Sequence, residues 1–322
     1  MAAKKALFTS CLFCNKDIEL LRKIGVEVKK APGSLREKEL IRELQDCTIY
    51  IIGGADKASA KVIRQTNLEL IVFYGTGYED HVDMKAAKKK RIPVCNTPKA
   101  NAYTVAEHAV ALILDSVKQI THLNNTTKAG RGVRRQAWNL ENMVLGIVGM
   151  GTIGGKVARI MNKAFKMKVL YVSRERKKDL EKELGAKKVA LKTLMSKADV
   201  ISVHASYSNE TINMIGEKEL RITKPHSVLV CTSRSELVNP KALKKALQEN
   251  KLAMAAFDSY YQEPIPAKKD DKWGLLALPD NKFLITPHTA FSSKEAVENM
   301  NAMVIENIKS FLKKGKPTYK VG

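Results

Sequence analysis

VLGIVGMGTIGGKVARIM, residues 144–161, climbs as an apolar run into a cluster of glycines and then falls into a helical pattern. Gly149, Gly151 and Gly154 make GxGxxG, a pattern that any tight strand–turn–helix can carry. Its setting is more telling, because a buried-strand pattern precedes it and a helix over 153–161 follows. In such a turn the first glycine permits the sharp bend. The second lets a phosphate approach the backbone, and the third packs helix against strand. The N–H groups opening the helix at Thr152 and Ile153 then attract the phosphates. The context favours a dinucleotide-binding loop over a purely structural turn.

Outward from this loop, the chain alternates strands and helices. Strands are expected at 144–149, 168–172, 199–203, 227–231, 253–257 and 283–286, a six-stranded doubly wound series. Before it, strands at 6–9, 26–28, 48–52, 70–74 and 93–95 alternate with helices at 16–23, 35–44, 57–65 and 82–90. A helix at 102–120 leads to a polar stretch, 122–135, with no expected element. A final helix at 292–314 has Ser292 or Ser293 as its cap and Gly315 as its stop. The expected fold class is α/β, with two doubly wound parallel sheets.

Composition bounds the answer. With 322 residues there is material for two cores, and 44% hydrophobic content is that of an ordinary globular chain. No apolar run approaches the length of a membrane span, and MAAKKALFTSCLFC lacks the long apolar core of a signal peptide. Cys11, Cys14, Cys47, Cys95 and Cys231 are odd in number and scattered, which fits a reducing, cytoplasmic setting. The Cys11–Cys14 pair has no second pair to make a zinc site, so no metal is expected. The net charge of +23 attracts anions. Its lysines and arginines are spread through KKK at 88–90, RERKK at 174–178 and KKGK at 313–316, without interleaved aromatics. That argues for a solvated basic surface rather than a nucleic-acid site.

The strand after the glycine loop ends in KVLYVSRERKK. A carboxylate is expected there if a ribose 2′-hydroxyl is to be bound, and Ser173 and Arg174 stand in its place. Arg174 can pair with a 2′-phosphate, so NADP(H) is favoured and NAD(H) remains possible. The alternative is an Arg174 that only faces solvent.

Three further segments, VCTSRSELVNP, FDSYYQEP and ITPHTAFSS, begin at or near strand C-termini, where open α/β sheets place their ligands. Their chemically capable residues are Arg234, Glu263 and His288. An arginine can hold a carboxylate and polarise a neighbouring carbonyl. A histidine can exchange the hydroxyl proton near neutral pH, and a glutamate can fix its tautomer and favour its protonation. Taken singly, each reads as well as a surface or loop residue; it is their conjunction that points to function.

With these segments in view, the chain resembles the D-2-hydroxyacid dehydrogenase family, which includes glyoxylate/hydroxypyruvate reductases and phosphoglycerate dehydrogenases. The resemblance covers nearly the whole chain. It rests on ANAYTVAEHAVALIL (100–114), GMGTIG, ADVISVH (198–204), the arginine segment, the aspartate–glutamate segment and TPH at 286–288. It implies hydride transfer between a nicotinamide cofactor and a small 2-keto or D-2-hydroxy acid, with glyoxylate or hydroxypyruvate first. It implies Arg234, Glu263 and His288 as the catalytic trio, with Arg234 and His288 also on the substrate. Asp258 would meet the nicotinamide end, and Thr232 would join the cofactor contacts. Gly75, Thr76 and Gly77 would offer backbone N–H groups to the substrate carboxylate. A homodimer is the family's usual state. The family's layout also implies a Rossmann cofactor domain, 101–291, inserted in a flavodoxin-like substrate domain, 1–100 and 292–322, with a cleft between them that closure would dry.

The sequence departs from the family pattern at several points. Ser235 follows the arginine in place of glycine, and Cys231 replaces an asparagine. Asn239 replaces an aspartate, although it can still cap the helix that Pro240 opens. The loop 75–83 is one residue longer than the common form. Phe291 stands where a small residue is more usual, and Tyr78, Tyr260 and Phe291 are the candidates to face the substrate's variable group. His81, His108, His122, His204 and His226 read as structural or surface residues, as does Glu107. The alternatives are a nucleotide-sensing, corepressor-like binding protein on the same fold, and a dehydrogenase acting on 3-phosphoglycerate or phosphite. Formate oxidation fits less well, because Glu263 is not an amide.

Overall fold

The computed structural model describes residues 4–322; residues 1–3, where the first expected domain begins, lie outside the described residues. The chain forms two compact units, Met1–Asn101 with Ser292–Gly322, and Ala102–Phe291. The first unit opens with β1 (Lys4–Thr9), α1 (Asn15–Lys23), β2 (Val26–Ala31), α2 (Glu37–Glu43) and β3 (Ile49–Ile52). It continues with α3 (Ala60–Gln65), β4 (Leu70–Phe73), α4 (Met84–Lys89) and β5 (Val94–Cys95). The second unit runs α5 (Ala102–Lys118), α6 (Ile120–Lys128), β6 (Val144–Val148), α7 (Thr152–Phe165), β7 (Lys168–Val172), α8 (Lys178–Leu184) and β8 (Lys187–Lys188). It then adds α9 (Leu191–Lys197), β9 (Val200–Val203), α10 (Glu217–Leu220), β10 (Val228–Cys231), α11 (Pro240–Gln248), β11 (Met254–Phe257) and β12 (Phe283–Ile285). The chain returns to the first unit with α12 (Lys294–Lys314) and β13 (Lys320–Val321).

Among the described residues the first sheet has six strands in the order β13-β5-β4-β3-β1-β2, parallel except where β13 meets β5. The second has seven parallel strands in the order β12-β11-β10-β9-β6-β7-β8. These are the flavodoxin-like and Rossmann orders. The two edge strands that sequence periodicity does not reveal, β8 and β13, are two residues long and lysine-bearing, too short to carry an alternation.

Period-two alternation sets the second core. Leu145, Ile147, Val228, Val230, Met254 and Ala256 face one side of the sheet, against α5 and α7. Val148, Ile201, Leu229, Cys231, Ala255 and Phe257 face the other. Both faces are covered, so the central strands are buried throughout and read as unbroken apolar runs.

One expectation gives way. The polar stretch after α5 contains a helix, α6, with no buried residue, so it has no apolar stripe to read. It is held instead by polar contacts. Asp115 accepts the Thr121 N–H at 2.9 Å, and Asp280 pairs with His122 at 2.6 Å and Asn125 at 2.7 Å. Gln119, at φ +54°, breaks α5 from α6.

The other caps follow the sequence. Ser293 accepts from the Ala296 N–H, and Gly315 ends α12 in the left-handed region. Asn239 accepts from the Ala242 N–H at 3.0 Å, ahead of Pro240 at the first turn of α11. No helix among the described residues is long and apolar enough to cross a membrane.

Candidate active site

The glycine loop joins β6 to α7. Gly149 has φ +100°, and a Cβ there would lie 2.4 Å from the Ala205 backbone nitrogen. A Cβ on Gly154 would lie 2.3 Å from the Gly149 carbonyl oxygen. These two glycines are therefore demanded by the fold itself. Gly151 differs: a Cβ there meets nothing within 4 Å. The space in front of it is open, at the N-terminus of a 14-residue helix. The N–H groups of Thr152, Ile153 and Gly154 open that helix and have no intrahelical acceptor. An open glycine before unpaired N–H donors fits a pyrophosphate, so the residues present suit a dinucleotide.

At the end of β7, Ser173 is half-buried and Arg174 is exposed. The neighbouring cations are already matched, Arg176 to Glu181 at 2.8 Å and Lys177 to Glu175 at 2.9 Å. The Arg174 guanidinium makes no ion pair among the described residues.

The chemically capable side chains gather beyond β10, β11 and β12. His288 Nδ1 lies 2.9 Å from both carboxylate oxygens of Glu263. Burial pushes the Glu263 carboxyl up, but the hydrogen bond and charge of His288, with the charge of Arg234, leave it below its ordinary range. Glu263 is thus an anion across neutral pH, fixed on one imidazole nitrogen. That leaves Nε2 as the nitrogen able to exchange a proton with another group.

His288 itself sits at φ +52°, just after Pro287, and its N–H donates to the Thr286 carbonyl at 2.9 Å. The tight turn is braced by Asp258, which is 2% exposed. Asp258 Oδ1 accepts from Thr286 Oγ1 at 2.6 Å and from the Thr289 N–H at 3.0 Å, and Oδ2 accepts from the Ala290 N–H at 2.8 Å. Arg234 starts a short 3-10 turn, Ser235–Leu237. Its segment is tied down by Ser259, whose hydroxyl donates to the Ser233 carbonyl at 2.7 Å and accepts the Ser235 N–H at 3.1 Å. Ser235 has no positive φ, so the backbone accepts a side chain where the family resemblance implies glycine. Cys231 is buried, which pushes its thiol up to about 11 and makes it a packing group rather than a nucleophile.

The second unit therefore assembles Arg234, Glu263, His288 and Asp258 at the strand ends of one sheet, with Thr232 beside them at the end of β10. Thr232 Oγ1 lies 3.4 Å from His204 Nδ1, and His204 Nε2 lies 2.8 Å from Ser202 Oγ. In the first unit, Gly75 lies two residues past the end of β4, at φ +153°. Its N–H donates to the Phe73 carbonyl at 3.0 Å. The Thr76 carbonyl is held by Asn96 Nδ2 at 2.9 Å, which fixes the loop's course. Tyr260 departs from expectation. It is 3% exposed, packs in the core and donates to Asp271 at 2.6 Å, so it faces no substrate.

The model of the D-isomer specific 2-hydroxyacid dehydrogenase NAD-binding domain matches residues 110–290. A glyoxylate reductase of Korarchaeum cryptofilum is 38% identical over 291 residues, covering 88% of this chain and 84% of the relative. The chain belongs to the D-isomer specific 2-hydroxyacid dehydrogenase family. Among solved structures it is similar to a glyoxylate reductase from Paecilomyes thermophila, with TM-score 0.85 and 28% identity over 100% of this chain and 99% of that one. It is equally similar to an acyclic imino acid reductase in complex with NADPH and D-Arg, with TM-score 0.85 and 27% identity over 99% of this chain and 100% of that one. As a D-2-hydroxyacid dehydrogenase it is an oxidoreductase that uses a nicotinamide cofactor.

Two features of this dehydrogenase were not legible in the sequence. The bracing of the His288 turn by Asp258 joins residues 28 to 32 positions apart, and no local pattern announces it. His108, expected to be structural, lies against that same bracing through Thr286.

Proposed function

We propose that the protein reduces a small 2-keto acid, glyoxylate or hydroxypyruvate, to the D-2-hydroxy acid with NADPH as the preferred donor. The observation that carries this reading is the His288–Glu263 pair at 2.9 Å, at the strand ends of the sheet that bears the glycine loop. His288 Nε2 delivers the proton to the carbonyl oxygen, and Glu263 holds the imidazolium in place. Arg234 binds the substrate carboxylate and draws charge from the carbonyl.

Gly149, Gly151, Thr152, Ile153 and Gly154 hold the cofactor's pyrophosphate, and Thr232 and Asp258 flank its reactive end. Bound there, the nicotinamide supplies the hydride. Arg174, with Ser173 beside it, takes the 2′-phosphate. The unpaired guanidinium and the NADPH complex of a structural relative support this assignment. The glyoxylate reductase relatives support the substrate class. Five free thiols agree with a cytoplasmic setting, and the family's habit with a homodimer.

The test is absorbance at the nicotinamide band, with NADPH and NADH in parallel against glyoxylate, hydroxypyruvate, pyruvate and phenylpyruvate. Faster oxidation of NADPH by glyoxylate or hydroxypyruvate is the expected result. NADH preference would overturn the role of Arg174 and leave the rest standing. Turnover with only the larger acids would overturn the substrate.

A further inference from the structure

His108 projects, partly buried, from α5, a helix whose buried residues are small or apolar: Val105, Ala106, Ala109, Leu112 and Ile113 among them. Its Nε2 lies 3.1 Å from Thr286 Oγ1 and 3.5 Å from Asp258 Oδ1. The direction of each hydrogen bond can be worked out. A threonine hydroxyl has one proton to give. Thr286 Oγ1 is 2.6 Å from Asp258 Oδ1, the length of a hydroxyl donating to a carboxylate. A second acceptor, the Phe257 carbonyl, lies 3.4 Å from the same hydroxyl and competes for that proton. Toward His108 the Thr286 oxygen can therefore only accept, so His108 carries its proton on Nε2.

A donor on that side leaves the hydroxyl proton directed at Asp258. Asp258 in turn holds the N–H groups of Thr289 and Ala290, on either side of the backbone that presents His288. We propose that His108 is a positioning residue for the reaction: by donating from Nε2 to Thr286 it fixes Asp258, and through Asp258 the turn that aims His288. The inference rests on the catalytic role proposed for His288. It adds a residue on a different element, 180 positions away in the chain, that reaches the turn only through Thr286 and Asp258.

The experiment compares wild type with His108→Leu, which fills the space without a donor, and His108→Gln, whose amide N–H reaches the same oxygen. Turnover, KM for the keto acid and melting temperature are measured for each. His108→Leu is expected to lower kcat about 3- to 10-fold, the worth of one hydrogen bond, with KM for the keto acid little changed. His108→Gln is expected to restore most of the loss, and all three proteins should melt alike. In a Thr286→Val background, His108→Leu should cost nothing further.

Unchanged kcat in His108→Leu would overturn the inference. So would equal losses in Leu and Gln accompanied by lower melting temperatures, the mark of packing alone. A separate arm does not depend on turnover: the histidine 15N spectrum of the wild-type protein should show neutral His108 as the Nε2–H tautomer. An Nδ1–H tautomer overturns the inference even if the enzyme is active. An inactive wild type with the Nε2–H tautomer overturns the functional reading, and the positioning role falls with it while the hydrogen-bond chain stands.

Discussion

His288 occupies the left-handed backbone region, φ +52°, where residues other than glycine are uncommon and asparagine, aspartate and histidine are the usual exceptions. This makes the choice of substitution matter. His288→Asn accepts that backbone, so the protein should melt within a degree or two of wild type. Its kcat should fall roughly 100- to 10,000-fold, because the proton donor is gone. A large drop in melting temperature, or turnover close to wild type, would contradict the assignment. Arg174 admits an equally direct test. It is the unpaired cation among Arg174, Arg176 and Lys177, so Arg174→Ala should raise the KM for NADPH roughly 10- to 100-fold. The KM for NADH should move little. Equal losses for both cofactors would show that the side chain lies elsewhere.

At the scale of the element, the glycine loop separates two demands that the GxGxxG pattern runs together. Gly154 is required by packing, since its Cβ would sit 2.3 Å from the Gly149 carbonyl, whereas Gly151 faces open space. Gly154→Ala should therefore destabilise the protein by about 1–3 kcal/mol, seen in thermal or urea unfolding. Gly151→Ala should leave unfolding unchanged and weaken cofactor binding in a fluorescence titration. This is the division of roles expected from the pattern in its strand–helix setting, and the Cβ distances give it a physical cause.

The same contrast runs through the rest of the chain. Strands such as Val200–Val203 and Val228–Cys231 were legible because burial on both faces writes them as apolar runs. Helix Ile120–Lys128 was not, because polar contacts to Asp115 and Asp280 hold it and it buries no side chain. Arg234, Glu263 and His288 were legible as candidates because each follows a recognisable strand. The donors around Asp258 were not, because they are set by a fold that brings β11, β12 and α5 together. Tyr260 looked like a pocket residue, since an aromatic beside a candidate site residue reads the same whether it faces a ligand or the core.

For the whole molecule, stability should respond to pH through His204. Burial pushes its imidazole down to about 4, and both ring nitrogens face hydroxyls. In the unfolded chain the same group titrates near 6.5. The folded state holds it neutral, so this contribution is complete above about pH 6.5 and is lost as pH falls toward 4. Melting temperature should decline across that window, before most carboxylates titrate, and His204→Asn should flatten the decline. An unchanged slope would rule out the assignment. The arrangement of the two units has a further consequence, for the protein as it is made. The second unit is one unbroken stretch, Ala102–Phe291. The first is stitched together from both ends of that stretch: Tyr74 donates to Asn301 at 2.6 Å, Asn307 to the Asn96 carbonyl at 3.0 Å, and β13 lies along β5. On the ribosome, the segment that emerges first must wait for α12 and β13 before its sheet and core can close. The inserted unit can fold as soon as its own last strand is clear. The order of synthesis and the order of folding are thus reversed, and for that interval the strand edge at β5 is an exposed template that a chaperone would have reason to cover.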